Sequence, residues 1–153
     1  QYGLRYNIEF LPWAGVRNLQ EAITLIDALA RDNVYIMVDT LHAGRAGVTA
    51  EELARTNSKY FNFIHLCDGP AGPDGDPVLD NIKDDLMLFT ARECRLYTGD
   101  GVMDIAGMVK ALPNIPLSIE LPNLENISKY GVAGHARNCI EKAKAYFKAN
   151  GIE

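Results

Sequence analysis

The chain has 153 residues, 48% of them hydrophobic and 23% charged, which is the size of about one domain and the composition of an ordinary globular protein. Disordered, collagen-like and low-complexity proteins are therefore excluded. The net charge of −5 argues against a nucleic-acid partner, because binding to phosphate backbones requires a basic face. No apolar run reaches the roughly 18 to 20 residues of a membrane-spanning helix, and no signal segment opens the chain. We therefore expect a cytoplasmic protein with no membrane partner.

The first half of the chain contains two predicted units, each a short β-strand followed by a helix. Residues 4–10 are rich in strand-forming residues, and residues 18–32 carry an apolar stripe at helical spacing behind a capping asparagine. Residues 34–39 predict the second strand. The following segment, 48–56, has Thr49 and Glu52 at the spacing of a capping box, which indicates a helix start.

The second half repeats this order with longer connections. A strand is predicted over 60–66, followed by a loop rich in Gly, Pro and Asp over 68–77 and a short helix near 80–92. A glycine turn then opens another helix near 105–112. The last unit combines a strand over 115–121 with a closing helix over 132–150.

Alternation of strands and helices predicts an α/β fold with parallel strands, either doubly wound or of the barrel type. No Gly-x-Gly-x-x-Gly follows a strand and no phosphate-loop motif occurs, so nucleotide binding loses its main support. Four units cannot close a barrel of eight, and open sheet edges are costly. The chain also starts without Met, almost directly at a strand. We therefore expect residues 1–153 to form a single domain that is part of a larger fold, completed by an N-terminal half-barrel or a second chain.

Each predicted strand ends in a potential metal ligand or acid–base group. These residues are Glu9, Asp39, His65 and Glu120. Taken alone, each has a plain structural explanation: a solvent-facing carboxylate, a turn-capping aspartate or a buried core histidine. The carboxyl ends of parallel strands, however, meet at one edge of the sheet, so the four side chains are expected to converge.

Three carboxylates and one imidazole predict a site for one divalent metal ion, because buried carboxylates without a cation are costly. The oxygen-rich set favours Mn²⁺ or Mg²⁺, with Co²⁺, Fe²⁺ and Zn²⁺ as alternatives. An octahedral ion held by four protein ligands keeps positions for two substrate oxygens. A hydroxy-ketone or hydroxy-aldehyde bound there has a polarised carbonyl and a more acidic neighbouring C–H bond. Glu9 and Glu120 then become the proton-transfer pair.

At EFLPW, DTLH, HLCDGP, RLYTGDGVMDI and SIEL, the sequence resembles the sugar phosphate isomerase/epimerase family of xylose-isomerase-like barrels. The resemblance runs nearly end to end and implies strands five to eight of a (β/α)8 TIM barrel. It implies metal ligation by the four strand-end residues and acid–base roles for Glu9 and Glu120. It also implies that His42 contacts a substrate oxygen and that Arg95 is the arginine preceding the family's glycine loop, where Thr98 and Asp100 replace proline and glutamate.

Three further residues have both a functional and a structural interpretation, and a fourth has a structural one only. Trp13 either stacks on a substrate or packs on the next loop. Asp68 either binds substrate or orients a ligand, or it caps the neighbouring loop. Arg45, in a flexible segment with Gly44 and Gly47, either holds a phosphate or carboxylate or is a solvated charge. His135 has no ligand-spaced partner and is expected at the surface.

The leading hypothesis is a metal-dependent isomerase or epimerase that acts on a sugar or sugar phosphate through an enediolate. A dehydratase or lyase is chemically close, because enolisation beside a hydroxyl group can end in loss of water. A non-catalytic half-barrel is a third possibility. An apurinic-endonuclease-like phosphodiesterase is disfavoured, because several zinc ions need more than the three histidines present.

Overall fold

The structure is a computed structural model that describes residues 2–72 and 84–152. Its four strands are β1 (Tyr6–Glu9), β2 (Val34–Asp39), β3 (Phe61–Leu66) and β4 (Leu117–Ile119). Its α-helices are α1 (Leu19–Leu29), α2 (Thr40–Arg45), α3 (Ala50–Arg55), α4 (Asp84–Glu93), α5 (Ile105–Ala111) and α6 (Leu124–Ala149). A 3-10 turn over Ser58–Tyr60 leads into β3.

The strands form one parallel sheet in the order β1-β2-β3-β4. Glu9 is paired with Met37, and Asp39 is paired with His65, which is paired in turn with Ser118. The predicted α/β class and the parallel pairing are confirmed. All four carboxyl ends therefore lie at the same edge of the sheet.

One face of the sheet packs against the helices and forms the core. Ile36, Val38 and Ile64 are completely buried there. The helices contribute apolar side chains to the same cluster, among them Leu19, Ala22, Ile26, Leu53, Ile105 and Met108. Because side chains alternate along a strand, Met37 and Asp39 share the other face. The acidic strand ends thus lie on the face opposite the helical core.

The two predicted helix caps are confirmed. The side chain of Asn18 accepts a hydrogen bond from Glu21 N (3.0 Å), and Thr49 Oγ1 accepts one from Glu52 N (3.1 Å). The strand predicted over 34–39 has those bounds, whereas the other three strands are shorter than predicted. The residues that flank β4 still bond to β3, since Ile64 N donates to the carbonyl oxygen of Pro116 (2.9 Å) and Glu120 N donates to that of Leu66 (3.2 Å).

One predicted loop is helical, and one predicted helix has an additional segment before it. The segment that contains Gly44 and Arg45 is the end of α2 and not a flexible loop. The closing helix predicted over 132–150 follows Gly131, whose φ of 69° and ψ of 165° are not helical and interrupt α6, and a further helical segment that begins at Leu124 precedes it. Residues 73–83, which include most of the predicted Gly/Pro/Asp loop and the first residues of the helix predicted near 80–92, lie outside the described residues.

In the described part of the chain, no helix combines the length and the hydropathy of a membrane span.

Candidate metal centre

The four strand-end residues predicted as metal ligands lie together at the carboxyl edge of the sheet. Glu9 and Asp39 are the last residues of β1 and β2, His65 is the fifth of the six residues of β3, and Glu120 follows β4 directly. Each offers one ligand atom, and these four atoms all lie within 4.8 Å of one another. The parallel register therefore brings together residues that are up to 111 positions apart in sequence.

Unpartnered polar atoms in this cluster fit a bound cation. Glu9 Oε1 and His65 Nδ1 are buried and have no hydrogen-bond partner within the described part of the chain, and Glu120 Oε2 has none either, although Arg95 Nη2 lies 3.1 Å from it. His65 Nδ1 is 3.3 Å from Glu120 Oε2, but the contact lacks hydrogen-bond geometry. A buried acceptor without a partner is costly, and coordination to a metal ion would remove that cost. The donor set of three carboxylates and one imidazole suits a divalent ion.

Asp39 is held from both sides. Its Oδ1 caps α2 by accepting hydrogen bonds from Leu41 N (2.9 Å) and His42 N (3.1 Å). Its Oδ2 accepts a hydrogen bond from Arg95 Nη1 at 2.5 Å. The side chain of Asp39 is 0% exposed, so this ion pair lies in a buried environment. The helix cap and the arginine together fix the orientation of the carboxylate.

Arg95 bridges two of the candidate ligands. Besides its contact with Asp39, its Nη2 lies 3.1 Å from Glu120 Oε2, and its Nη1 donates to the carbonyl oxygen of Glu120 at 3.3 Å. Burial acts to lower the pKa of Arg95, but the charge of Asp39 and the other nearby acidic groups raises it above the ordinary arginine value. Arg95 is therefore a permanent positive charge inside the cluster.

Glu9 and His42 lie side by side and are both uncharged at mildly acidic pH. Burial, followed by the negative charges of Asp39 and Glu120, raises the pKa of Glu9 to about 7. Burial lowers the pKa of His42 to about 4. Glu9 Oε1 is 3.7 Å from His42 Nε2. The metal-free site thus stores a proton on the carboxyl group and not on the imidazole.

Trp13 lies next to the cluster, as its proposed substrate contact requires. Its ring meets the ring of His42 edge to face, with the ring centroids 5.1 Å apart. The side chain is half-buried and also packs against the core. Trp13 therefore combines the packing role with a position beside the candidate ligands.

The carboxylate of Asp68 accepts four hydrogen bonds from backbone N–H groups and so stabilises a loop. Its Oδ2 accepts hydrogen bonds from Gly99 N and Gly101 N, both at 3.0 Å, and its Oδ1 accepts from Gly69 N (2.9 Å) and Met103 N (3.0 Å). A Cβ atom on Gly101 would lie 2.2 Å from the carbonyl oxygen of Gly69, so the turn requires glycine. These contacts favour the capping role over a direct contact between Asp68 and substrate, and the cap extends to the glycine turn that follows Arg95.

The structural interpretations of two basic residues were wrong. Arg45 is only 6% exposed, and its Nη2 donates to the carbonyl oxygen of Pro70 at 2.7 Å, so it is not a solvated charge. His135 is 7% exposed and not at the surface. Its Nδ1 is 2.9 Å from the hydroxyl of Tyr97, and its Nε2 is 2.8 Å from the carbonyl oxygen of Leu121. Both side chains are buried because they satisfy polar groups of distant segments.

Cys67 was not recognised as a neighbour of the site. Its Sγ is 3.2 Å from Arg95 Nη1 and 3.8 Å from Asp39 Oδ1. Burial, and then the charge of Asp39, raises the pKa of Cys67 to about 12, so it remains a thiol. The sequence does contain a signal for this position. Residues two apart along a strand lie on the same face of the sheet, and Cys67 follows His65 by two residues.

The chain belongs to the family described as xylose isomerase-like TIM barrel, whose model matches residues 1–147. It is 26% identical over 119 residues to the inosose isomerase of Bacillus subtilis strain 168, covering 76% of this chain and 38% of that protein. It is 25% identical over 156 residues to the inosose isomerase of Bacillus licheniformis, covering 96% of this chain and 51% of that protein.

Solved structures show the same fold. A crystal structure of the IolI protein with a binding zinc atom matches with a TM-score of 0.76 at 23% identity, over 96% of this chain and 50% of that chain. D-psicose 3-epimerase with D-tagatose, from Clostridium cellulolyticum H10, matches with a TM-score of 0.62 at 16% identity, over 92% and 47%. The chain therefore spans about half the length of these proteins or less.

The four hydrogen bonds to Asp68 predict a large effect of the substitution Asp68→Asn. An amide has one acceptor oxygen and would turn its NH₂ group toward two backbone N–H donors, so the free energy of unfolding should fall by about 3 kcal/mol. Urea unfolding followed by circular dichroism measures the change. Asp104→Asn is the matched control, because Asp104 caps α5 at an exposed position and asparagine caps equally well. Equal stability losses in both variants would contradict the loop-holding role of Asp68.

The shifted pKa values of Glu9 and His42 predict opposite pH dependences in the metal-free chain. The folded chain binds the Glu9 proton more tightly than the unfolded chain, so this contribution to stability is lost as pH rises from 4.5 to about 7. The folded chain disfavours protonation of His42, so its contribution is lost as pH falls from 6.5 to about 4. The two largely cancel in the wild type.

Single substitutions should separate these contributions. In the presence of a chelator, the melting temperature of Glu9→Gln should rise with pH between 4 and 6.5 relative to the wild type. The melting temperature of His42→Gln should fall as the pH rises from 4.5 to 7, again relative to the wild type. Parallel curves for the wild type and both variants would show that neither group titrates as inferred.

Proposed function

We propose that this chain supplies the metal-binding and proton-transfer residues of a divalent-metal-dependent isomerase or epimerase that acts on a sugar, a sugar phosphate or a similar hydroxy-carbonyl compound. The observation that carries the proposal is the convergence of four ligand atoms within 4.8 Å. The names of the relatives, inosose isomerase and D-psicose 3-epimerase, support the reaction class.

Glu9, Asp39, His65 and Glu120 would hold the ion. When bound, the ion acts as a Lewis acid that polarises a substrate carbonyl. The oxygen-rich donor set favours Mn²⁺ or Mg²⁺. The zinc atom in the structure of IolI keeps Zn²⁺ as an alternative, together with Co²⁺ and Fe²⁺.

Glu9 and Glu120 are the proposed acid–base pair. One carboxylate removes the proton from the carbon beside the substrate carbonyl, which gives an enediolate, and a carboxylic acid returns a proton to complete the isomerisation or epimerisation. The two residues come from β1 and from the segment after β4, at the two edges of the sheet. This placement allows them to approach a substrate carbon from different sides.

Three neighbouring residues are proposed to orient the substrate. Arg95 presents a planar guanidinium group that suits oxygen atoms. His42 is neutral at physiological pH because its pKa is about 4. Its Nδ1 has no hydrogen-bond partner within residues 2–72 and 84–152. Trp13 beside His42 offers an apolar ring surface to the carbon face of a sugar.

The same residues could serve a dehydratase or lyase, since that reaction begins with the same proton abstraction. A multi-zinc phosphodiesterase is disfavoured, because several zinc ions would need more histidine ligands than the three histidines of this chain can supply. Both ring nitrogens of His135 contact other groups, the hydroxyl of Tyr97 and the carbonyl oxygen of Leu121. Only one group of potential ligands is found in the described part of the chain, and it has one histidine.

A complete pocket is proposed to require four further βα units, supplied by a longer protein or by a second chain. The described sheet has two edge strands, β1 and β4, where a closed barrel has none. Tyr6 on β1 is 59% exposed, and Leu117 on β4 is 39% exposed. Assays with and without an N-terminal half-barrel distinguish this proposal from a non-catalytic half-barrel. The cytoplasmic location stays a prediction.

The metal site predicts that the chain binds one Mn²⁺ ion per molecule. Asp39→Asn and His65→Ala should each weaken binding at least tenfold, because each removes one of four ligands, and the double variant should bind no metal. Titration followed by the fluorescence of Trp13, the only tryptophan, reports binding beside the site. Asp104→Asn is the matched control for Asp39→Asn, because Asp104 is an exposed helix cap outside the cluster. Stoichiometric metal in the double variant would rule out this ligand set.

The acid–base pair predicts hydrogen exchange at a substrate carbon. With the completed barrel and candidate ketoses in deuterated water, the carbon-bound hydrogen should exchange at a rate measurable by NMR. Glu9→Gln and Glu120→Gln should each slow exchange at least 100-fold, the usual range for loss of a general acid or base. Glu51→Gln on the exposed face of α3 should not. Exchange that persists in both variants would exclude the two glutamates from proton transfer.

A further inference from the structure

The hydroxyl of Thr40 extends the sheet beyond its last backbone pair. Asp39 ends β2 and is paired with His65, whereas the next residue, Thr40, is already the first residue of α2. Its backbone has turned into a helix and cannot continue the parallel ladder. Cys67, one residue beyond the end of β3, therefore has no strand neighbour for its N–H and C=O groups.

The side chain of Thr40 replaces that missing neighbour. Its Oγ1 accepts a hydrogen bond from Cys67 N at 3.1 Å and donates one to the carbonyl oxygen of Cys67 at 2.6 Å. The carbonyl oxygen of His65 lies at 3.2 Å, and the single hydroxyl proton goes to the nearer acceptor. Thr40 is 0% exposed, so no water competes for these groups.

We propose that Thr40 is a positioning residue that fixes the separation of the metal ligands Asp39 and His65. Thr40 adjoins Asp39 in the chain, and Cys67 lies two residues from His65, so their two hydrogen bonds connect the backbones that carry both ligands. The inference rests on the proposed metal site. Partners that hold ligands in place typically change metal affinity by 10- to 100-fold when they are removed.

The chain offers a matched control for this hydroxyl. Thr98 is also buried, at 2% exposed, but its Oγ1 has no hydrogen-bond partner among residues 2–72 and 84–152. Thr40→Val and Thr98→Val remove the same atom and keep the shape of the side chain. Thr40→Ser keeps the hydroxyl and tests for rescue.

The experiment measures Mn²⁺ affinity of the full 153-residue chain by electron paramagnetic resonance of the free ion, well below the melting temperature. We expect about tenfold weaker binding for Thr40→Val. Thr40→Ser and Thr98→Val should remain within about twofold of the wild type. A purely structural role would lower the melting temperature of Thr40→Val and leave the affinity unchanged, and that result would overturn the inference.

A metal-free measurement separates this inference from the proposed function. If the wild-type chain binds no Mn²⁺, the proposed metal site is wrong. The hydrogen bond from Cys67 N to Thr40 Oγ1 can still be tested, by amide hydrogen exchange at Cys67. Thr40→Val should accelerate that exchange at least tenfold, and Thr98→Val should leave it unchanged. Equal exchange in all variants would overturn the positioning role.

Discussion

Repulsion among three carboxyl groups at one edge of the sheet is the constraint on which the rest of the site depends. The parallel register brings Glu9, Asp39 and Glu120 together, and burial of Glu9, followed by the negative charges of Asp39 and Glu120, opposes the ionisation of Glu9. In the metal-free chain the conflict is resolved in two ways. Arg95 contacts Asp39 and Glu120, and Glu9 retains its proton up to a pH of about 7. The contacts of Arg95 and the retained proton of Glu9 therefore both reduce the negative charge of the cluster.

The convergence of the four candidate ligands could be predicted because two short-range signals were sufficient. The runs of apolar residues locate the ends of the strands, and alternation with helices makes the strands parallel. Neither step requires knowledge of a contact between distant side chains. Arg95 lies on no strand, so only the family resemblance indicated it, and its contacts with two ligands required the structure.

The incorrect predictions have a common physical cause, which is that the decisive partner is distant in sequence. His135 is buried because its two ring nitrogens meet the Tyr97 hydroxyl and the Leu121 carbonyl oxygen. Glycine is typical of loops, but Gly44 lies in the helix α2. A Cβ atom at this position would lie 2.2 Å from Met103 Sδ, so glycine is needed there for close packing against Met103. Asp39 is an exception, because its capping of the next segment was among the expected roles, and the structure shows that the capped segment is the helix α2 and not a turn.

Charge explains why a divalent ion suits this cluster better than a monovalent or trivalent one. With a proposed ion in place, Glu9 would give up its proton, because a bound cation favours the carboxylate form. The three carboxylates, the single guanidinium of Arg95 and two positive charges on the ion would then balance, with His42 neutral and His65 a neutral ligand. A monovalent ion would leave a buried negative charge, and a trivalent ion a positive one. Because a balanced site exerts little net attraction on a charged substrate, recognition would depend on directed contacts from His42, Arg95 and the two glutamates, whose orientations the surrounding hydrogen bonds fix.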